Sequence, residues 1–300
     1  MDNKKLKSEN TKLVIAISSR ALFNLDQSHK IFKEKGIEAY AKHQQENEHV
    51  ILEPGVGFTL VKKLLKLNSK KTPIDVILLS RNSADTGLRI FNSIEHYDLN
   101  ISRAAFTRGE RTHPFVGAFE ADLFLSSNYN DVQKALQSGY AAASIVESKS
   151  NNSHPSQLRI AFDGDAVIFS DESERIFQEK GLEAFHENEI LSEKIELKAG
   201  PFKSFLVSLQ KIQSTFPEED NPIRTALVTA RSAPSHRRVI HTMRKWGIRI
   251  DESFFLGGLE KGVFLRQFAA DIFFDDQQQH CESASQYVPT GHVPSGIKNS

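Results

Sequence analysis

The sequence predicts an α/β protein made of two tandem units, each with a mainly parallel sheet. Three observations carry that expectation. Short β-branched apolar runs alternate with segments of helical periodicity, the pattern of strand–helix–strand crossovers. A set of words recurs in the same order at nearly constant spacing. A polar stretch rich in turn formers, ESKSNNSHPSQ at 147–157, separates the two sets and reads as a linker.

Residues 1–11 form a polar tail, read as disordered and lacking the apolar core of a signal peptide. LVIAI at 13–17 is a buried-strand candidate ending at Ser18 and Ser19. Residues 28–40 read as a helix carrying Ile31 and Phe32, with Gly36 as a helix stop. Residues 58–67 place Leu60, Val61, Leu64 and Leu65 at helical spacing. IDVILL at 74–79 is the next strand, 86–94 a helix, and ADLFL at 121–125 a further strand. These elements fill a first unit at 12–146.

The second unit, 158–300, opens with IAFDGDAVIF at 160–169, an apolar run interrupted by two carboxylates. ALVTAR at 226–231 is a strand ending at Thr229, and DIFFDD at 271–276 is a strand ending in adjacent carboxylates. Between 167 and 225 the chain is longer than a simple crossover. It carries helices at 171–179 and near 202–212, and 171–221 reads as a small cap insertion, with 184–200 over the site.

IFKEKGIEAY at 31–40 returns as IFQEKGLEAF at 176–185, 145 positions later, and Gly55 returns as Gly200 at the same interval. Pro73 and Ile74 return as Pro222 and Ile223, and ADLFL at 121–125 returns as ADIFF at 270–274, both 149 positions later. The two sets differ where chemistry would sit. Asp163 stands against Ser18, Asp165 against Arg20, Thr229 against Leu79, and Lys261 against Thr112. Asp275 and Asp276 stand against Ser126 and Ser127. The first unit is therefore read as a degenerate, non-catalytic scaffold, contributing to substrate enclosure or to a homo-oligomer contact.

Composition narrows the function classes. The 300 residues are 39% hydrophobic and 25% charged, with no apolar stretch long enough to span a bilayer. Formal net charge is zero, so no global field favours nucleic acid or a membrane surface as a partner. Cys281 is the one cysteine, which excludes an intramolecular disulfide and a multi-cysteine metal site. A soluble cytoplasmic protein is the expectation.

Ligands of open α/β sheets bind beyond the carboxyl ends of strands. Asp163, Asp165, Thr229, Lys261 and Asp275–Asp276 all fall at such ends. The residue types suit phosphoryl transfer. Asp163 and Asp275 can supply carboxylates to a hard cation such as Mg²⁺. One carboxylate can attack phosphorus to form an aspartyl-phosphate. A carboxylate two residues on can serve the leaving oxygen as general acid and then water as general base. A lysine and a hydroxyl can hold the other phosphate oxygens.

The series Asp-x-Asp-x-Val, strand–Thr, Lys and Asp-Asp resembles the four motifs of the haloacid-dehalogenase-like phosphatase superfamily. AFDGDAV at 161–167, FSDESE at 169–174, LVTARSA at 227–233 and IFFDDQ at 272–277 look like the cytosolic 5′-nucleotidase I family, as do VIAISS at 14–19 and EHYDL at 95–99. The likeness runs from about residue 12 to the C-terminal region. It implies two tandem Rossmann-like, haloacid-dehalogenase-like units and Mg²⁺-dependent hydrolysis of AMP-like nucleoside 5′-monophosphates. By the same resemblance Asp163 is the nucleophile and Asp165 the acid/base, while Thr229, Ala230 and Lys261 bind phosphate. Asp275 and Asp276 bind the metal, together with Asp163 and the main-chain carbonyl of Asp165. The base that is read is not specified by any of these motifs. A phosphatase for another small ester and a catalytically silent nucleotide-binding protein are the rival readings.

Other residues read as structural. Phe162, Phe169, Phe202 and Phe205 can stack on a base but are expected in the core. Asp271 is expected to make a structural contact. Arg231 can pair with phosphate, but Arg81 at the apparent equivalent place favours a structural role. His236, His241 and His280 lack metal-ligand spacing and read as surface residues. Cys281 has no activating neighbour beyond His280. EPGVG at 53–57 is a turn, too short for a dinucleotide loop.

Overall fold

The computed structural model describes residues 12–69, 73–146, 148 and 154–299. The expected tail at 1–11 and most of the expected linker lie outside the described residues. In chain order the first half contains β1 (Leu13–Ser18), α1 (Ser19–Leu22), α2 (Asp26–Glu46), α3 (Phe58–Leu67), β2 (Ile74–Ser80), α4 (Leu88–His96), β3 (Arg103–Phe106), α5 (Pro114–Ala118), β4 (Leu123–Ser126), α6 (Tyr129–Gln137) and β5 (Ala141–Val146). The second half contains β6 (Leu158–Phe162), α7 (Glu172–Leu191), α8 (Lys203–Gln213), β7 (Ile223–Thr229), α9 (His236–Trp246), β8 (Glu252–Phe255), α10 (Gly262–Phe268), β9 (Ile272–Asp275), α11 (Gln278–Ala284) and β10 (Thr290–His292).

The strands form one ten-stranded sheet in the order β3-β2-β1-β4-β5-β10-β9-β6-β7-β8. Every pairing is parallel except β5 against β10. The mainly parallel α/β architecture is as expected, but both halves share one continuous sheet. Each half lays its five strands out in the same order, and the antiparallel seam turns the carboxyl ends of the two sets opposite ways. Ser126, Ser144, His292 and Asp275 come level across that seam.

Strand alternation sends successive side chains to opposite faces. Ile15, Ile17, Leu125, Ile160, Phe162 and Phe274 join one apolar cluster that runs through both halves. On the other face each half has its own core, around Val14, Ala16 and Phe124 in the first and Ala161, Val228 and Phe273 in the second. Phe162, Phe169, Phe202 and Phe205 are fully buried core residues, as expected.

Two helices of the shared face, α3 and α8, tie the halves together reciprocally. On α3, Lys63 Nζ donates to both carboxylate oxygens of Asp271 at 2.7 and 2.9 Å and to the carbonyls of His154 and Gln157. Asp271 also accepts from the Arg159 amide at 2.8 Å, so the expected structural role holds. On α8, Ser208 Oγ donates to Asp122 Oδ1 at 2.8 Å, and Val14 N donates to Asp122 Oδ2 at 2.9 Å. Helix α8 buries Phe205, Leu206, Leu209 and Ile212, so this part of the segment expected as a cap is a core helix.

Gly36 does end a helical stretch, as expected, but a second one resumes directly after it. It adopts φ 82° and kinks α2, which continues to Glu46, and Gly181 kinks α7 at φ 82° in the same way. Without a Cβ, glycine takes this positive φ at little steric cost, so the chain turns and resumes its helix. Strand register also corrects one correspondence. β2 and β7 are both seven residues long, from Ile74 and Ile223, which sets Thr229 against Ser80 and Arg231 against Asn82, one position beyond the expected Leu79 and Arg81.

Asp271→Ala would leave Lys63 half-buried and without its carboxylate. It should lower the unfolding free energy by about 3 kcal/mol, as for other half-removed buried pairs, measured by urea denaturation. Gly200 is pinned by its own amide on Ile168 O at 2.9 Å and by Phe202 N on Val167 O at 3.0 Å. A Cβ there would press on the carbonyl oxygens of Val167 and Phe169. Gly200→Ala should therefore cost about 1–3 kcal/mol, the usual range for overpacking, read as a lowered thermal midpoint.

Candidate active site

Strand β6 is buried along its inner faces and delivers Asp163 at its carboxyl end, where the Asp163 amide donates to Phe274 O at 2.7 Å. Beyond it the chain makes one wide turn over residues 164–168, closed by Phe169 N on Gly164 O at 2.9 Å. Ala166 sits inside that turn in the left-handed region at φ 57°. Such a conformation costs a non-glycine residue of order 1 kcal/mol and persists only where the surroundings impose it. Gly164 fits close to Thr229, since a Cβ there would lie 3.3 Å from Thr229 Oγ1.

β6 and β9 are paired through Phe162 and Phe274, so Asp163 and Asp275 emerge side by side. Lys261, at the start of α10, reaches between them. Its Nζ donates to Asp163 Oδ1 at 2.7 Å and to Asp275 Oδ2 at 2.6 Å. Asp163, Lys261, Asp275 and Asp276 are each at most 6% exposed, so these charges depend on one another and not on water. Asp275 Oδ1 also accepts from the Gln277 amide at 2.8 Å, and His280 Nδ1 lies 3.3 Å from Asp275 Oδ2.

Burial raises every carboxyl here, and the neighbours decide the outcome. Burial pushes Asp163 up to about 7; the Lys261 ammonium opposes the rise and Asp275 reinforces it. Burial alone would also raise Asp275, but Lys261 and then His280 outweigh it and hold the carboxyl at about 2. Lys261 is shifted upward in spite of burial, because Asp163 and Asp275 both favour its charge. Asp276 is pushed up to about 10 by burial and then by Asp163 and Asp275. Both of its carboxylate oxygens are buried without a hydrogen-bond partner.

Among the described residues, Asp163, Asp275 and Asp276 form the one group whose ligand atoms could share a cation, all lying within 4.8 Å of one another. Hard carboxylate oxygens, two of them on an unpartnered buried side chain, fit a small divalent cation.

Of the expected site residues, Asp163, Lys261, Asp275 and Asp276 therefore meet in one buried cluster. Thr229 is buried at the end of β7, and its Oγ1 accepts from the Arg231 amide at 3.2 Å. Ala230 follows it and is exposed. Asp165 stands at the rim with a side chain 19% exposed and turns to Arg231. Arg231 Nε and Nη2 bind its two oxygens at 2.8 and 2.7 Å.

That pairing is the main contact at the candidate site that sequence reasoning missed. Arg231 Nη1 also donates to Glu189 Oε2 at 2.6 Å. Glu189, on α7, accepts in turn from Ser173 Oγ at 2.8 Å and Arg238 Nη1 at 2.9 Å. Phe185 lies against the Arg231 guanidinium, 5.5 Å from its ring centre. His280, expected as a surface residue, borders the cluster. The signal that could have flagged Arg231 was its place two residues beyond Thr229. Cys281 is buried and its thiol is shifted up by burial and then by Asp275, in keeping with no nucleophilic role.

A family model described as 5′-nucleotidase matches residues 5–300. Among curated proteins, the chain is 40% identical over 288 residues to cytosolic 5′-nucleotidase 1B of Homo sapiens, covering 91% of this chain and 47% of that protein. The chain thus spans about half the length of the curated relative it matches. No solved structure matches it. With a family match over nearly its whole length and this level of identity, the chain belongs to the 5′-nucleotidase family.

Proposed function

We propose that the protein hydrolyses nucleoside 5′-monophosphates, AMP-like substrates first, to nucleoside and inorganic phosphate. The observation that carries the reading is the buried cluster at the ends of β6 and β9. Asp163 there shares Lys261 with Asp275, and Asp165 stands two residues on, in a chain of the 5′-nucleotidase family.

Asp163 attacks phosphorus, and the bond to the nucleoside 5′-oxygen breaks as that oxygen takes the proton of Asp165. Asp165 then accepts a proton from the water that attacks the aspartyl-phosphate, which frees phosphate and restores Asp163. Lys261, the Thr229 hydroxyl and the main chain at Ala230 hold the phosphate oxygens. Asp163, Asp275, Asp276 and the Asp165 main-chain carbonyl would hold Mg²⁺. That ion, when bound, neutralises charge shared by the carboxylates and the phosphate.

The shared strand order supports reading 12–146 and 158–300 as two copies of one α/β unit, of which the second is catalytic. α7 with the segment that follows it, to about Gly200, is the part of 171–221 we assign as cap, since α8 is in the core. No helix among the described residues is long and apolar enough to cross a membrane. A cytoplasmic location is our reading, in line with the name of the human relative.

Phosphate release from AMP should require Mg²⁺, stop with chelator, and fall at least about 10³-fold in Asp163→Asn, the range expected when a nucleophile is lost. Release from other phosphate esters but not from AMP would keep the chemistry and discard the nucleotidase assignment. No release from any ester would favour a silent nucleotide-binding protein.

A further inference from the structure

We infer that Arg231 and Glu189 are positioning residues for Asp165, through which α7 sets the orientation of that carboxylate; this rests on the nucleotidase reading above. Arg231 is 3% exposed and Glu189 is fully buried. A guanidinium is a rigid planar fork, so two parallel bonds to one carboxylate fix both its position and its plane; each oxygen keeps a second lone pair, where the proton that Asp165 exchanges is carried. Arg231 uses Nε and Nη2 on Asp165 and is itself anchored through Nη1 by Glu189. Glu189 is anchored by Ser173 and Arg238, and Arg238 is held by the Ile195 carbonyl at 2.9 Å and by Glu172 at 3.0 Å. The chain of contacts thus runs from α7 and α9 to Asp165 without an exposed link.

The first half supplies an internal control. Ser28 Oγ donates to Gln44 Oε1 at 3.1 Å, Arg89 Nη1 donates to the same oxygen at 3.2 Å, and Arg89 Nε donates to Val50 O at 2.8 Å. These residues match Ser173, Glu189, Arg238 and Ile195 in sequence position and in bonding. That part of the network therefore serves the fold, and a glutamine carries it out. What the first half lacks is the limb that reaches the site. Gln44 replaces Glu189, Asn82 replaces Arg231 and Arg20 replaces Asp165. The Glu189–Arg231–Asp165 limb is present where the site carboxylates are present and absent where they are absent.

A misplaced proton donor harms esters in proportion to how badly the leaving oxygen needs the proton. The test measures kcat/KM, which reads the steps through leaving-group departure, for Arg231→Lys, Glu189→Gln and the unaltered protein. Substrates are AMP and a series of aryl phosphates from 4-nitrophenyl to phenyl. Arg231→Lys should lose about 100-fold on AMP and under about 3-fold on 4-nitrophenyl phosphate. Glu189→Gln should lose about 10-fold on AMP. Both lie within the reach of general-acid catalysis, with the loss growing as the leaving group becomes more basic. Glu189→Gln keeps the serine and arginine bonds that Gln44 makes in the first half but faces a second arginine that Gln44 does not; it should fold with a lowered thermal midpoint, and it decides the matter if Arg231→Lys does not fold. A loss uniform across the series, or none, would overturn the positioning role alone. Failure of the unaltered protein on every ester would overturn the nucleotidase reading and this inference with it.

Discussion

The ammonium of Lys261, held between Asp163 and Asp275, is the interaction on which the second-half site depends. Carboxylates removed from water are costly unless a cation compensates them closely, and removal of one partner of such a pair strands the other. Parallel pairing of β6 with β9 brings two aspartates together, and Lys261, the residue just before α10, is placed where its side chain can reach both. Lys261 cannot also serve Asp276. The result is a site with more carboxylate than cation, in which the buried Asp276 side chain has no hydrogen-bond partner. This surplus supports the proposed divalent ion, since a small hard cation binds oxygen donors of this kind.

The first half shows how the same strand ends look without that cost. Where the second half has Asp163, Thr229 and Asp275, the first has Ser18, Ser80 and Ser126. Small hydroxyls settle among themselves and the main chain. Ser19 and Ser80 lie 3.1 Å apart, Ser18 Oγ accepts from the Ser127 amide at 3.3 Å, and Ser126 Oγ accepts from the Asn128 amide at 3.1 Å. Where that half does bury a carboxylate, at Asp131, Arg81 Nε and the Thr112 hydroxyl meet it at 2.9 and 3.0 Å. The halves still need each other for stability. One face of the sheet carries a single core through both, and Lys63 crosses from α3 to the buried Asp271.

Much of the fold was legible in local pattern. LVIAI at 13–17 is β1 to within a residue, 58–67 is α3, and IDVILL at 74–79 is β2 without its last residue. Buried parallel strands must be apolar on both faces, so they stand out without homologues. The break at Gly36 was legible, but not the return to helix directly after it, because glycine permits both a stop and a kink. The one-residue slip that set Arg231 against Arg81 came from counting across loops. Strand pairing, with its period of two, removes that freedom.

The sequence by itself determined the chemistry available: which strand ends carry carboxylates, a hydroxyl and a lysine, and which half lacks them. Side-chain type and order along the chain are enough for that, because strand ends in an open α/β sheet are where ligands bind. Only the tertiary structure decided who pairs with whom. Lys261 and Asp163 are 98 positions apart, Arg231 and Asp165 are 66 apart, and Arg231 and Glu189 are 42 apart. Pairing across such separations depends on strand order, helix placement and rotamer, none of which is written in the spacing of residues. Electrostatic strength falls with distance and with access to water, so the partner that wins is fixed by packing to within an ångström.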